Sequence, residues 1–510
     1  MANARVAIIG AGPAGLVAAR WMQQVGFVPV LFERASDVGG QWRAGDADSS
    51  VWRGMHTNTS RLTTAFSDRP HAPELPIYPR AEAIGDYLRD YAAHFGLARE
   101  ARFGATVTEV EPHGAAWRVR WHEADGAARE ESFARVVIAS GRHRTPVLPT
   151  EPALDAFRGG GGVVHAAAYR GAAAFAGQRV LVGGHSVSAV EIASDLAAHG
   201  VDVVVSSRRH RFVMQRLPGG VPMEHRIYTR GAGLAWESLP PAHVGAWLKA
   251  LIVRTSGHPT QYGALLHSED VLTAGFTHSP HYLTLVAEGR IRTRPWMTEV
   301  AADRVHYADG SHDAVDTLLL ATGYALDLPF LGPTARAALA PDRHDATWDA
   351  FTWHPALPGL ACIGLYEHGG PFFPTLEQQA RLIAYTWSGQ APMPSAAAQA
   401  ERIVAAQATR GTHTVQRMHV LSRRFARLAG VEPHLADDPA LARALCYGPL
   451  APAQFRLTGP DALPDASARV AHDAAAFGVV TSPDFTHEER EELRLIAAAR
   501  GDARLASLVG

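Results

Sequence analysis

An apolar run at residues 6–9 passes directly into Gly10-Ala11-Gly12-Pro13-Ala14-Gly15, and a helical pattern starts at Leu16. Few local sequences constrain a fold as tightly. A strand that turns through Gly-x-Gly-x-x-Gly into a helix opens a βαβ unit of a parallel sheet. Gly10 permits the tight turn. Gly12 lets a pyrophosphate approach the backbone, and Gly15 lets the helix close on the strand. The helix N-terminus then faces the anion. A second apolar run, residues 28–32, ends in Glu33. That acid falls about twenty residues past the turn, where a carboxylate binds ribose hydroxyls. The glycine spacing alone is weak evidence; strand, helix and acid in register strengthen it.

A chain of 510 residues is too long for one core and suggests two or three domains. Net charge is only -2, and nothing in it argues for a nucleic-acid or anionic-membrane partner; neither is expected. Cys362 and Cys446 form neither a Cys-x-x-Cys redox pair nor a zinc signature; each reads as a small buried apolar residue. The chain enters a strand with no signal segment and has no run of eighteen apolar residues, so a soluble cytoplasmic protein without membrane contact is expected. The Asn58-Thr59-Ser60 sequon then carries no glycosylation.

After Glu33 comes Gly39-Gly40-Gln41-Trp42, read as a wall of the nucleotide pocket, with a Trp filling a core gap as the plainer alternative. A turn-rich stretch, Met55-His56-Thr57-Asn58-Thr59-Ser60-Arg61, leads through a Pro-rich loop to a periodic helix at 84–95. Short strands at 107–110, 117–121 and 133–138 follow, the last ending in Ala139-Ser140-Gly141.

The pattern then restarts. A strand at 179–182 enters Gly183-Gly184-His185-Ser186-Val187-Ser188-Ala189, followed by a helix at 190–198. The match Gly184-x-Ser186-x-x-Ala189 is degraded, but Ser leaves the backbone accessible and can donate to phosphate. The next strand ends in Ser206-Ser207-Arg208-Arg209, so the place held by Glu33 in the first unit is read as arginine. Arginine there accepts a 2′-phosphate that an acid would repel; a solvated basic loop is the alternative. The first unit therefore reads as an FAD site and the second as an NADPH site. Residues 212–297 read as a packed, largely helical insertion, in which large aromatics are more often core than tunnel lining. The nucleotide fold resumes at 304–310 and at 315–324, ending in Ala321-Thr322-Gly323-Tyr324. A strand at 360–365 precedes Gly369-Gly370-Pro371 and a helix from about Thr375, whose N-terminus can face the flavin ring. Thr486 and Glu489 form a capping box for the terminal helix.

Together these residues resemble the flavin-containing monooxygenases, over nearly the whole chain. The resemblance rests on Gly10-x-Gly12-x-x-Gly15, Gly39-Gly40-Gln41-Trp42, Thr57-Asn58, the Ser186/Ser188/Ala189 turn, Ala321-Thr322-Gly323-Tyr324 and Glu377-x-Gln379-Ala380-Arg381. Tyr447-Gly448-Pro449 and residues 454–460 look like the terminal segment of long, animal-type members, without their hydrophobic tail. The family fingerprint has His six residues after the first Phe; here Phe157-x-Gly159 and His165-x-x-x-Tyr169 are separated by two extra residues of a glycine run, read as a linker insertion. Related Baeyer–Villiger enzymes usually carry Trp at the place of Tyr169, which favours the monooxygenase branch.

The resemblance implies an α/β fold of two Rossmann-like domains with a helical insertion. One, at 1–170 and 317–510, would bind FAD; the other, at 171–316, would bind NADPH. It implies oxygenation of a soft nucleophile, an amine or a sulfide, through a C4a-hydroperoxyflavin formed with O2. Asn58 is the expected catalytic side chain, with an Asn satisfying its own turn as the alternative. Expected cofactor contacts are Gly10, Ala11, Gly12, Pro13, Ala14, Gly15, Glu33, Gly40, Gln41, Trp42, His56, Thr57, Asn58, Val107, Ser140, Gly141, Ser186, Ser188, Ala189, Arg208, Arg209, Thr322, Gly323 and Gln379. No metal is expected, and none of the 26 histidines is assigned a catalytic role. A homodimer is compatible with the sequence, which does not fix the oligomeric state. The rival readings are Baeyer–Villiger oxidation of ketones, an NADPH–flavin reductase or oxidase, and a non-catalytic flavin-binding or NADPH-sensing protein; the lack of Cys-x-x-Cys argues against a disulfide reductase, and Glu33, Asn58 and Arg208 against the non-catalytic class.

Overall fold

The computed structural model describes residues 3–46, 49–408 and 416–510. Two five-stranded parallel sheets organise them. The first runs in the order Leu360–Cys362, Arg135–Ile138, Arg5–Ile9, Val28–Glu33, Arg102–Phe103. Alternation along its first strand explains the layers. Val6 and Ile8 pack with Leu16, Val17 and Trp21 of the helix Pro13–Gln24 and with the helix Phe372–Ser388. Ala7 and Ile9 point the other way, onto Trp117, Val119, Trp121 and Phe133. Those residues belong to an antiparallel three-stranded sheet, Thr106–His113, Ala116–His122 and Ala128–Phe133. The single strand expected at 133–138 is thus two, broken at Ala134: one part closes this hairpin and the other joins the parallel sheet.

The second sheet runs Ile291–Pro295, Asp202–Ser207, Arg179–Gly183, Thr317–Leu320, Gly162–His165, all parallel. Its pairing redraws the expected boundaries. Gly162–His165 and Thr317–Leu320 were assigned by sequence to the first unit, yet both hydrogen-bond into the second. The glycine run is therefore not a free linker. A Cβ on Gly161 would lie 1.9 Å from Thr317 Oγ1, so the run is a tight turn feeding an edge strand. The expected insertion also ends earlier than 297. Ile291–Pro295 pairs with Asp202–Ser207, and Leu283, Leu285 and Val286 of the helix Tyr282–Ala287 join the core beside Val190 and Ile192 of the helix Val187–Ala198. The remainder of the insertion is largely helical as expected, with Arg230–Ser238 and Pro241–Ser256 its longest helices, and also holds the parallel strand pair Phe212–Met214 and Phe276–His278. Cys362 and Cys446 are buried and free. Thr486 caps the helix His487–Arg500, with Glu489 completing the box. Among the described residues no helix is long and apolar enough to cross a membrane, and no cluster of His, Cys, Asp and Glu could hold a metal ion.

Candidate functional site

The strand Arg5–Ile9 lies between Val28–Glu33 and Arg135–Ile138. The chain departs from it in opposite directions, which leaves a crevice beyond its carboxyl end. A cleft of about 280 Å³ opens there, walled by Gly10, Gly12, Pro13, Ala14, Glu33, Gly40, Gln41, Trp42, Val107, Ser140 and Gly141, all expected from sequence. Gly10 has φ +110°, and a Cβ there would lie 2.6 Å from the Ala139 carbonyl oxygen. A Cβ on Gly40 would lie 2.9 Å from Gly12 Cα, so two bare backbones face each other across the mouth. Glu33 is buried; its carboxylate accepts from the amides of Ala11 (2.9 Å) and Ala35 (3.0 Å), with Arg43 at 3.8 Å. Those amides leave lone pairs for ribose hydroxyls. The Ser140 hydroxyl is buried without a partner, an orphan that a bound ligand can satisfy.

The far wall was not legible from sequence. It consists of Arg142, His143, Arg144, Phe330, Gly364, Phe372, Phe373 and Leu376. Arg142-His143-Arg144 follows Ser140-Gly141 directly, and that adjacency was the one available signal. Burial pushes His143 down to about 4, so it adds no charge near pH 7. Phe372 and Phe373 open the helix Phe372–Ser388, setting its N-terminus at the cleft as expected. Ala11 and Gly15 are not in the wall: Ala11 is buried, and Gly15 acts by packing, since a Cβ there would lie 1.9 Å from the Gly10 oxygen. Gln379 is likewise set back. Its amide donates to the carbonyls of Phe351 (3.1 Å) and Cys362 (3.0 Å) and to Thr352 Oγ1 (2.8 Å), and its oxygen accepts from the Gly364 amide at 3.0 Å. It positions a wall residue.

The second unit repeats the first in register. Gly10 and Gly184 donate to Phe32 and Ser206 at the same 2.8 Å, and a Cβ on Gly184 (φ +126°) would lie 2.6 Å from the Ala321 oxygen. Ser186 caps the helix Val187–Ala198 with the extended backbone that Gly12 uses. The expected arginine does not occupy the Glu33 position. Phe32 matches Ser206, so Glu33 matches Ser207, not an arginine. The Ser207 hydroxyl turns the chain by bonding Arg209 N and O (3.1 Å each), and Arg208 and Arg209 stand exposed just beyond. Arg208 lies 5.1 Å over the Trp296 ring. Thr322 is held by the Val147 carbonyl (2.5 Å), and the Gly323 carbonyl by His165 Nε2 (3.1 Å).

His56, Thr57 and Asn58 stand on a separate turn, outside the wall of the first cleft. The insertion grips it from both sides. Arg216 Nη1 donates to the Thr57 carbonyl (2.8 Å), Ser60 N donates to Glu224 Oε1 (2.5 Å), and Ser60 Oγ meets His225 Nε2 (2.7 Å). Burial pushes Glu224 up to about 7 and His225 down to about 3. Arg216 also reaches Glu191 of the second nucleotide helix (3.9 Å). Asn58 Oδ1 is buried with no partner. An Asn that merely satisfied its own turn would not leave that acceptor idle.

The family model described as FMO-like, flavin-binding monooxygenase-like, matches residues 3–474. The chain is 28% identical over 489 residues to "Dimethylaniline monooxygenase [N-oxide-forming] 2" of Cavia porcellus and 30% identical over 487 residues to that of Mus musculus, covering 89% of each chain. Among solved structures it is similar to S-allyl-L-cysteine S-oxygenase from Allium sativum (TM-score 0.63, 22% identity, 98% of both chains). It is also similar to cyclohexanone monooxygenase from Rhodococcus sp. Phi1 (TM-score 0.61, 18% identity, 84% of this chain and 97% of that one).

Proposed function

Because the chain belongs to the flavin-binding monooxygenase-like family, whose members use FAD and NADPH, we propose that it oxygenates soft nucleophiles, sulfides or amines, at sulfur or nitrogen. The observation that carries this reading is the orphaned acceptor of Asn58 on a turn gripped by Arg216 and Glu224. It supports a ligand-facing role for that side chain.

The residues of the first cleft fit FAD. The Glu33 carboxylate keeps lone pairs for a ribose, Gly12 and Gly40 leave room for a pyrophosphate, and the orphan hydroxyl of Ser140 has a donor to spend. When bound, FAD supplies hydride acceptance and oxygen activation. The rest belongs to the protein. Trp42, Phe330, Phe372 and Phe373 keep water from the ring. The helix Phe372–Ser388 offers its positive end. Asn58 has two donors and one acceptor for groups arriving at the flavin. Ser186 and the amides opening the helix Val187–Ala198 suit the NADPH pyrophosphate, and Arg208 and Arg209 suit its 2′-phosphate.

Purified holoenzyme with NADPH should convert thioanisole to its sulfoxide or a tertiary aniline to its N-oxide. Conversion of cyclohexanone to its lactone instead would replace this reading with Baeyer–Villiger chemistry. NADPH consumption that yields hydrogen peroxide alone would reduce it to an oxidase.

A further inference from the structure

Close to the flavin cleft lies a group of polar side chains without hydrogen-bond partners and an arginine without a carboxylate. Phe372, in the cleft wall, has its ring 3.9 Å from that of His368. The strand His368–Gly369 pairs with Gln416–Arg417, so that Gly369 faces Arg417. A Cβ on Gly370 would lie 2.8 Å from Met418 Cβ and 3.0 Å from Tyr228 Cζ, and the Tyr228 ring is 5.4 Å from that of His419. His419 is 1% exposed and neither of its ring nitrogens is bonded. His368, 6% exposed, has only an approach of the Gly369 backbone and no hydrogen bond of good geometry. The buried Tyr366 hydroxyl is also unbonded.

Arg417 completes the set. It is half-buried, lies over Trp236 (5.0 Å) and Phe276 (4.8 Å), and has no carboxylate within 4.0 Å among the described residues. Residues 409–415, the segment just before it, contain no Asp or Glu. Half-buried Arg211, next to Gly275, also lacks a carboxylate partner. Glu367 is the one acid whose field reaches Arg211, and it is exposed and 3.7 Å from Arg142. Elsewhere this protein pairs its deeply buried arginines: Arg381 and Arg456 with Asp461 (2.7 and 3.2 Å), Arg423 with Glu432 (2.8 Å), and Arg230 with Glu432. A cation withdrawn from water without a counter-ion is costly. A guanidinium without a carboxylate, beside unbonded imidazole and hydroxyl N–H and O–H donors, fits an oxyanion, and a guanidinium is the group that fits a carboxylate best.

We propose that Arg417, supported by Arg211 and flanked by His368 and His419, receives the carboxylate of the substrate, so that the enzyme acts on thioethers or amines that carry a carboxylate. This deepens the monooxygenase reading and rests on it. A phosphate of NADPH shares the oxyanion chemistry, and Arg211 N bonds His185 of the second nucleotide turn (3.1 Å). Arg417 instead pairs through its backbone with Gly369, three residues before Phe372 of the cleft wall, and on that connection we assign it to the substrate.

The holoenzyme should be assayed with methylthiopropionate, its neutral amide and thioanisole, and binding of the first two to the oxidised holoenzyme measured by calorimetry. The wild type should favour the carboxylate over the amide at least tenfold in kcat/KM and in affinity. Arg417→Met should abolish both preferences while leaving thioanisole turnover and the NADPH KM unchanged, and Arg417→Lys should restore part of them. No preference, or one that survives Arg417→Met, overturns the proposal. So does a raised NADPH KM with an unchanged preference, which would give the anion to the nucleotide. If no thioether is oxygenated, the monooxygenase reading fails, and calorimetry still decides the site: carboxylate binding that is lost in Arg417→Met upholds it, and no binding refutes it.

Discussion

Glu224 makes a testable link between the insertion and the Asn58 turn. Its side chain is buried, Oε1 accepts from Ser60 N at 2.5 Å, and Oε2 has no partner. Burial raises its pKa from 4.5 to about 7. The folded protein therefore holds this proton more tightly than the unfolded chain, and between those values stability falls as pH rises. The stability is fully present below 4.5 and lost as pH climbs through about 7. The gap corresponds to about 3 kcal/mol. Glu224→Gln keeps an oxygen for Ser60 and cannot ionise, so it escapes that loss. It leaves a buried amide donor unpaired, at about 1–3 kcal/mol, but that cost is the same at every pH. Glu377, also raised to about 7, is present in both proteins and cancels. The readout is the difference in thermal midpoint, variant minus wild type, at pH 5 and pH 8. With unfolding entropy scaling by residue, about 1 °C accompanies each kcal/mol for a chain of this size. Since a little of the loss has already occurred at pH 5, the difference should move about 2 °C in the variant's favour on going to pH 8. An unchanged difference would refute the placement of Glu224 as a buried, protonating carboxyl.

Three further outcomes are expected. Arg208→Ala with Arg209→Ala should raise the NADPH KM at least about tenfold more than the NADH KM, as loss of a charge-assisted phosphate contact implies; equal effects would remove the 2′-phosphate assignment. Gly10→Ala puts a Cβ 2.6 Å from the Ala139 oxygen at φ +110°, so the purified protein should carry far less flavin per chain; full flavin occupancy would contradict the turn geometry. Arg381→Met removes bonds to Asp461, Gln378 and the Phe455 carbonyl at 2.7–2.8 Å and should cost about 3–5 kcal/mol in urea unfolding, against no loss if the arginine were idle.

The first unit was legible because one stretch carries it. Gly10 and Gly12 are fixed by local turn chemistry, and Glu33 by the length of one helix. The second unit was legible despite Ser186 and Ala189, since the turn keeps its spacing. The arginine position was misread by one residue because the end of Asp202–Ser207 is set by pairing of Gly183 with Ser206, which no local pattern reports. Ile291–Pro295 was taken into the insertion because Arg292 and Arg294 hide a strand that sits at the sheet edge. The far wall of the cleft was beyond reach for a different reason: His143, Phe330 and Phe372 come together from distant parts of the chain. The shared motif Glu377-x-Gln379-Ala380-Arg381 acts through packing. Glu377 binds Ser67 N (2.8 Å), Arg456 reaches Ser67 Oγ (2.6 Å), and Gln379 holds Gly364.

The central claim is that the protein places one atom of O2 on a soft nucleophile at the expense of NADPH. The most direct measurement is turnover of thioanisole under isotopically labelled dioxygen, with NADPH, sulfoxide and hydrogen peroxide quantified together. Labelled sulfoxide should form in near-equal amount to the NADPH consumed, with little peroxide. Peroxide matching the NADPH consumed, or sulfoxide without label, would contradict it.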